Sequence, residues 1–187
     1  ALVMLGSERE NLMLKKDNIA SVFSFDKGSS TQEYPNSLMG SIALLRQTEL
    51  DAQWYSRTAA PREYNINLEA WNRNKNLISI FDAGNWENVL RADKVGDEFG
   101  KQYICKTDGS EYQRLEEIKK TNAKLIVPLQ FPKAYDVSDI YKRQFVDLIE
   151  IKHWEHAAAN CPYLDKHNRE FAMTSDMLEK KDAFSKN

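Results

Sequence analysis

The chain has 187 residues, enough for one domain with a real core. It is 42% apolar and 29% charged with a net charge of −2, so nothing electrostatic draws it to nucleic acid or to an anionic membrane. No apolar run approaches the roughly 20 residues of a membrane helix, and the expectation is a soluble protein of the cytoplasm or periplasm. No secretory leader is legible, and the chain opens on Ala1-Leu2-Val3 without Met, reading as an excised piece or a mature product.

Residues 1–36 read as a β-rich, irregular segment. LVML, NLMLK and SVFSF are short apolar runs, with Gly6-Ser7 as turn chemistry between the first two. DKGSSTQEYPN, residues 26–36, is a loop of turn formers. Pro35, Asn36 and Ser37 then start a long helix to Arg57, with Leu38, Ile42, Leu45 and Leu50 as its apolar stripe. TAAPRE breaks it, and a shorter helix follows around NLEAWNRN.

From residue 77 the rhythm is βα. A strand at 77–81 precedes a helix at 86–99, whose face is Val89, Ala92, Val95 and Phe99 and whose end is marked by Gly100. A strand at 102–105 precedes a helix at 111–121, where Ser110 and Gln113 have capping-box spacing and Tyr112, Leu115 and Ile118 form the stripe. A third strand spans 124–129. An elaborated loop with helices around 138–156 and 162–167 leads to a fourth strand near 170. MLEKKDAFSKN reads as a charged, fraying helix. These strands are apolar without alternation, as when both faces are covered. The whole predicts an α/β fold of parallel βα units over residues 37–187. Periodicity alone fits a segment of a (β/α)8 barrel and an open sheet equally.

Each of these strands runs into a polar residue: Asp82, Lys106, Gln130 and Asp176. Chemistry in parallel α/β folds sits beyond the carboxyl ends of the strands. Asp82 there either ligates a metal or takes a proton, or else caps the helix at 86. Lys106 pairs with Asp82, holds an anionic substrate, or points into solvent. Gln130 is a candidate substrate contact. Asp176 is a candidate base or the cap of a following helix. His153 and His156 in HWEH share a helix face at i, i+3, which allows a shared metal, but the H-E-x-x-H spacing of a zinc protease is absent. His167 reads as an exposed helix end. Cys105, in a strand, and Cys161, in a loop before Pro162, have no CxxC partner and read as free, partly buried thiols. Trp54, Trp71, Trp86 and Trp154 read as packing residues. No G-x-S-x-G, phosphate loop or G-x-G-x-x-G is present.

The stretch from ISIFDAGNWENVL to AKLIVPL, with FAMTSDML, resembles the later barrel strands of amidohydrolases of the imidazolonepropionase-related kind. SFDKGSSTQEYPNSLMGSIALLRQTELDAQWY resembles amidohydrolase-related domains of Bacteroidetes-type bacteria. The resemblance implies a (β/α)8 barrel and metal-dependent hydrolysis of C–N bonds in amides or cyclic amides, with a divalent metal such as zinc activating water. Asp176 stands where the family places the Asp after its eighth strand, which acts as base and ligand. Asp82 and Lys106 stand where metal-binding histidines of the fifth and sixth strands belong. Asp keeps a capacity to bind metal, whereas a Lys ammonium repels a cation. The H-x-H of the family's first strand is absent from the chain. The resemblance therefore carries two expectations: a hydrolase domain for a small-molecule substrate, or a degenerate, metal-free domain acting as a structural or binding module in a longer protein. On either expectation residues 77–176 supply strands five to eight. Exposed sheet edges then predict self-association or packing on the rest of a longer chain.

Overall fold

Apolar β-branched and aromatic runs punctuated by glycine and polar loops set the strands of this chain. The computed structural model describes residues 1–3, 13–58 and 63–178. The short strands β1 (Leu2–Val3) and β2 (Leu14–Lys16) form an antiparallel pair. Five further strands form one sheet in the order β3 (Ala20–Ser24), β4 (Ile78–Gly84), β5 (Tyr103–Thr107), β6 (Lys124–Pro128) and β7 (Phe171–Thr174). Register is parallel for β3–β4, β5–β6 and β6–β7. The chain is thus α/β, built of βα units as in part of a TIM-like barrel. β3 lies inside the segment read as irregular and belongs to the sheet. Of the expected charged helix MLEKKDAFSKN, residues 179–187 lie outside the described residues, as do Asn11 and Leu12 of NLMLK, Gly6-Ser7 and residues 59–62 of the TAAPRE break.

Two compact units divide the chain: Ala1–Asp82 with Val95–Tyr103, and Ala83–Lys94 with Ile104–Asn187. In the first, helix α1 (Leu38–Arg57) begins where Ser37 Oγ accepts the Gly40 N–H at 3.2 Å. Its buried face is Glu49, Ala52 and Tyr55, whereas Leu38 and Leu50 are exposed. The expected leucine stripe was off because an ion pair carries Glu49 inward: Lys101 Nζ bonds Glu49 Oε1. The ammonium also lies 5.0 Å from the ring centre of Trp71, on helix α2 (Ile66–Asn74), and 5.3 Å from that of Phe23. Phe23, Phe25, Phe81, Tyr103 and Trp71 pack edge to face or tilted at 4.6–5.6 Å and form this unit's core.

Side chains alternate across a strand, and here the two faces differ in cover. In the first unit Phe23 pairs in register with Phe81 on the buried face. On the other face Val22 pairs with Ile80 and Ser24 with Asp82; Val22 and Ile78 there are exposed. In the second unit Cys105, Thr107, Leu125 and Val127 are buried. Ile104, Lys106, Ile126 and Ala172 occupy the less covered face, with Lys106 beside Ile126 and Ile126 beside Ala172. The strands read as uniformly apolar are therefore half-covered, with polar residues entering the open face near their carboxyl ends.

Helix α3 (Trp86–Phe99) has the predicted bounds; Val89, Ala92 and Val95 are buried and Phe99 is partly so. Gly100 adopts φ +65°, the left-handed turn a helix end favours. The expected helix at 111–121 is a 3₁₀ turn (Glu111–Arg114) followed by α4 (Leu115–Lys120). The capping box at Ser110 is not formed, because Ser110 Oγ accepts the Trp86 N–H at 3.2 Å and donates to Asp108 Oδ1 at 2.5 Å. The helix expected over 138–156 is two, α5 (Ile140–Arg143) and α6 (Leu148–His156). It is interrupted because Asp147 and Glu150 form a true capping box. Cys161 lies in helix α7 (Asn160–Lys166), not in a loop. Trp54 and Trp154 are exposed, so two of the four tryptophans are not core.

Candidate functional site

The carboxyl ends of β5 and β7 bring two of the four expected rim residues together. Lys106, the penultimate residue of β5, and Asp176, two residues past β7, pair at 2.5 Å between Nζ and Oδ2. The lysine is partly buried and the aspartate half exposed, so solvent moderates the pair. Asp176 begins a turn and not a helix: its N–H donates to Thr174 Oγ1 at 3.1 Å. Met177 follows at φ +66°, a conformation uncommon for a long side chain. Gln130 lies exposed two residues past β6.

Asp82 belongs to the first unit and lies within β4, which runs on to Gly84. It does not cap α3. Asn85 does, accepting the Asn88 N–H at 3.0 Å. The acidic group at this strand is therefore a half-buried member of the open sheet face beside Ser24.

Sequence reasoning missed a second polar centre. Glu111 is fully buried at the start of the 3₁₀ turn. Asn160, also buried, donates from Nδ2 to Glu111 Oε2 at 2.6 Å and accepts the Tyr112 N–H on Oδ1 at 2.9 Å. Burial pushes the Glu111 carboxyl up, against the opposing pull of hydrogen bonds from Thr107 and Asn160. An acid at a helix start reads as a dipole partner, and no sequence signal distinguishes this buried one.

The HWEH histidines take aromatic partners. Tyr112 Oη lies 2.9 Å from His153 Nδ1, with the two rings stacked at 6.0 Å. His156 Nδ1 lies 3.5 Å from Tyr163 Oη. His167 is partly buried and its Nδ1 reaches the Tyr163 carbonyl at 2.8 Å. Among the described residues no group of three or more His, Cys, Asp and Glu side chains could hold a metal ion. The donor set of the described residues therefore does not fit the zinc site that the resemblance implies. Cys105 and Cys161 are free, and burial pushes the Cys105 thiol up to about 12.

No family model and no curated protein matches the chain. Among solved structures it is similar to an amidohydrolase from Thermotoga maritima MSB8, with a TM-score of 0.58 and 14% sequence identity. The match covers 94% of this chain and 46% of that one, so the chain spans about half the length of the amidohydrolase it resembles. That likeness is one of fold: parallel βα units arranged as in part of a TIM-like barrel. Among the described residues, no helix is long and apolar enough to cross a membrane.

Proposed function

We propose that this chain is a degenerate amidohydrolase-type domain, of the imidazolonepropionase-related, Bacteroidetes-type kind. It acts as a structural or small-molecule-binding module in a longer assembly and not as a metal hydrolase by itself. The observation that carries the reading is the Lys106–Asp176 pair. The carboxylate expected to act as base and ligand is held by an ammonium, at a strand position where the resemblance sets a histidine. A fixed cation there supplies the positive charge a metal would bring, and repels a second one.

Elemental analysis and zinc calorimetry test this. Zinc, manganese and iron are expected to stay substoichiometric after reconstitution. Stoichiometric metal, with hydrolysis of a cyclic amide that Asp176→Asn abolishes, would refute the proposal. A second reading is the metal-dependent C–N hydrolase that the sequence resemblance implies, with Asp176 as base and ligand and Lys106 and Gln130 contacting substrate. It predicts that positive result.

The partner surface follows from the same architecture. Tyr141, Phe145, Leu148 and Ile149 are exposed within a nine-residue stretch of the second unit, Phe145 at 86%. Such clustering supports a surface that packs on a partner. The chain self-associates or packs on further βα units, and a strictly monomeric species in light scattering at high concentration would contradict this.

A further inference from the structure

The histidines of HWEH build a feature that the rim reading leaves unused. A cavity of about 340 Å³ in the second unit is lined by Tyr112, Leu115, His156, Tyr163, Lys166 and His167. Its wall is a run of rings. His156 lies between Tyr112, at 5.8 Å and 40°, and Tyr163, at 6.4 Å and 48°. The orientation of these rings is set from behind. Tyr112 is anchored through His153 Nδ1 and by the Asn160 Oδ1 bond to its own N–H. His167 donates Nδ1–H to the Tyr163 carbonyl, which sets Nε2 at the opposite edge of the ring. That edge stands 3.9 Å from Glu116 Oε1, whose side chain is 71% exposed and does not line the cavity. No carboxylate is among the lining residues, while Lys166 brings a positive charge.

We propose that this cavity is a binding site for a small aromatic carboxylate, its ring against Tyr112, His156 and Tyr163 and its carboxylate toward Lys166. Flat rings offer π faces that stack a planar ligand, and a charged donor recognises the carboxylate. A compact inorganic anion would reach the lysine and leave the ring wall bare. A cationic ring would meet the lysine's repulsion. The rigid aromatic lining costs little side-chain entropy on binding, so the site is preorganised. The assignment does not depend on any chemistry at Asp176.

Sodium benzoate is the probe, titrated into the intact protein and followed by NMR of backbone amides and aromatic side chains. Saturable shifts are expected on the rings of Tyr112, His156 and Tyr163. Benzamide, the neutral isostere, is expected to bind about tenfold more weakly. Lys166→Met, at an exposed position, is expected to weaken benzoate about fivefold or more while leaving the urea midpoint unchanged. Shifts that cluster elsewhere, fail to saturate at tens of millimolar, or are matched by benzamide would overturn the assignment. Wild-type affinity in Lys166→Met would do so as well.

Discussion

Replacing Lys101 by Met is expected to destabilise the first unit by about 3 kcal/mol, the lower end of the cost of stripping one partner from a buried ion pair. The estimate follows from exposure. The Lys101 side chain is 15% exposed and that of Glu49 6%, too enclosed for the discount given to surface pairs. Removing the ammonium leaves the Glu49 carboxylate enclosed without its cation and strips a cation–π partner from Trp71 and Phe23. Met keeps the length and volume of the Lys stem, so packing loss is small. For a chain of this size the cost corresponds to a fall in Tm of about 6–12 °C. Urea unfolding followed by tryptophan fluorescence and far-UV circular dichroism measures it. The double variant Glu49→Leu/Lys101→Met separates charge from packing. An apolar pair of similar volume is expected to recover to within about 1 kcal/mol of wild type. If the double variant is as unstable as Lys101→Met, or if the single change costs under about 0.5 kcal/mol, the electrostatic account of this helix face is wrong.

Glu111→Gln tests the buried acid. Because burial raises the folded pKa above the unfolded one, the stability tied to its proton is full below the unfolded pKa and is lost as pH rises through the folded pKa. The Gln variant is therefore expected to gain on wild type as pH rises from about 4.5, by at most about 1.4 kcal/mol per pH unit, before levelling off. A pH-independent difference in urea midpoints refutes this. Cys105, with its thiol pushed up to about 12, is expected to resist a thiol reagent at pH 8 until the protein unfolds, and labelling at the native rate of an exposed thiol would contradict its burial. Gly96→Ala places a Cβ 2.5 Å from the Lys101 carbonyl oxygen and 3.0 Å from the Tyr103 ring, and is expected to cost about 1–3 kcal/mol. An unchanged thermal midpoint would show that this turn relaxes freely.

Local periodicity located α3, β5 and β6 within two residues, because their apolar spacing and Gly100 are decided within one βα unit. It failed where a distant partner decides the outcome. Glu49 turns inward where Lys101, far along the chain, meets it, so the covered side of α1 runs from Ile42 and Leu45 to Glu49 and not to Leu50. Ser110 looked like a capping residue for its own helix and instead accepts the Trp86 N–H at the start of α3, beside the Asn85 cap. The break before α6 was readable in Asp147-x-x-Glu150 yet was masked by the apolar residues Phe145, Val146, Leu148 and Ile149 on either side of Asp147. Lys106 and Asp176 were legible as strand-end residues, but nothing in the chain announced that they would pair. Glu111 and Asn160 carried no signal at all, since a buried acid and a capping acid look alike in one dimension.

The unequal cover of the sheet's two faces sets a rule for which substitutions this protein can absorb. Along β5 and β6, tolerance should rise and fall with a period of two. Cys105, Leu125 and Val127 admit little beyond close isosteres, because any change of volume or polarity there disturbs the packed face. Ile104 and Ile126 can drift toward polar residues at small cost to folding, since Lys106 already stands on that face. A lineage released from catalysis would therefore rewrite its strand ends first, while the alternate positions held the architecture in place.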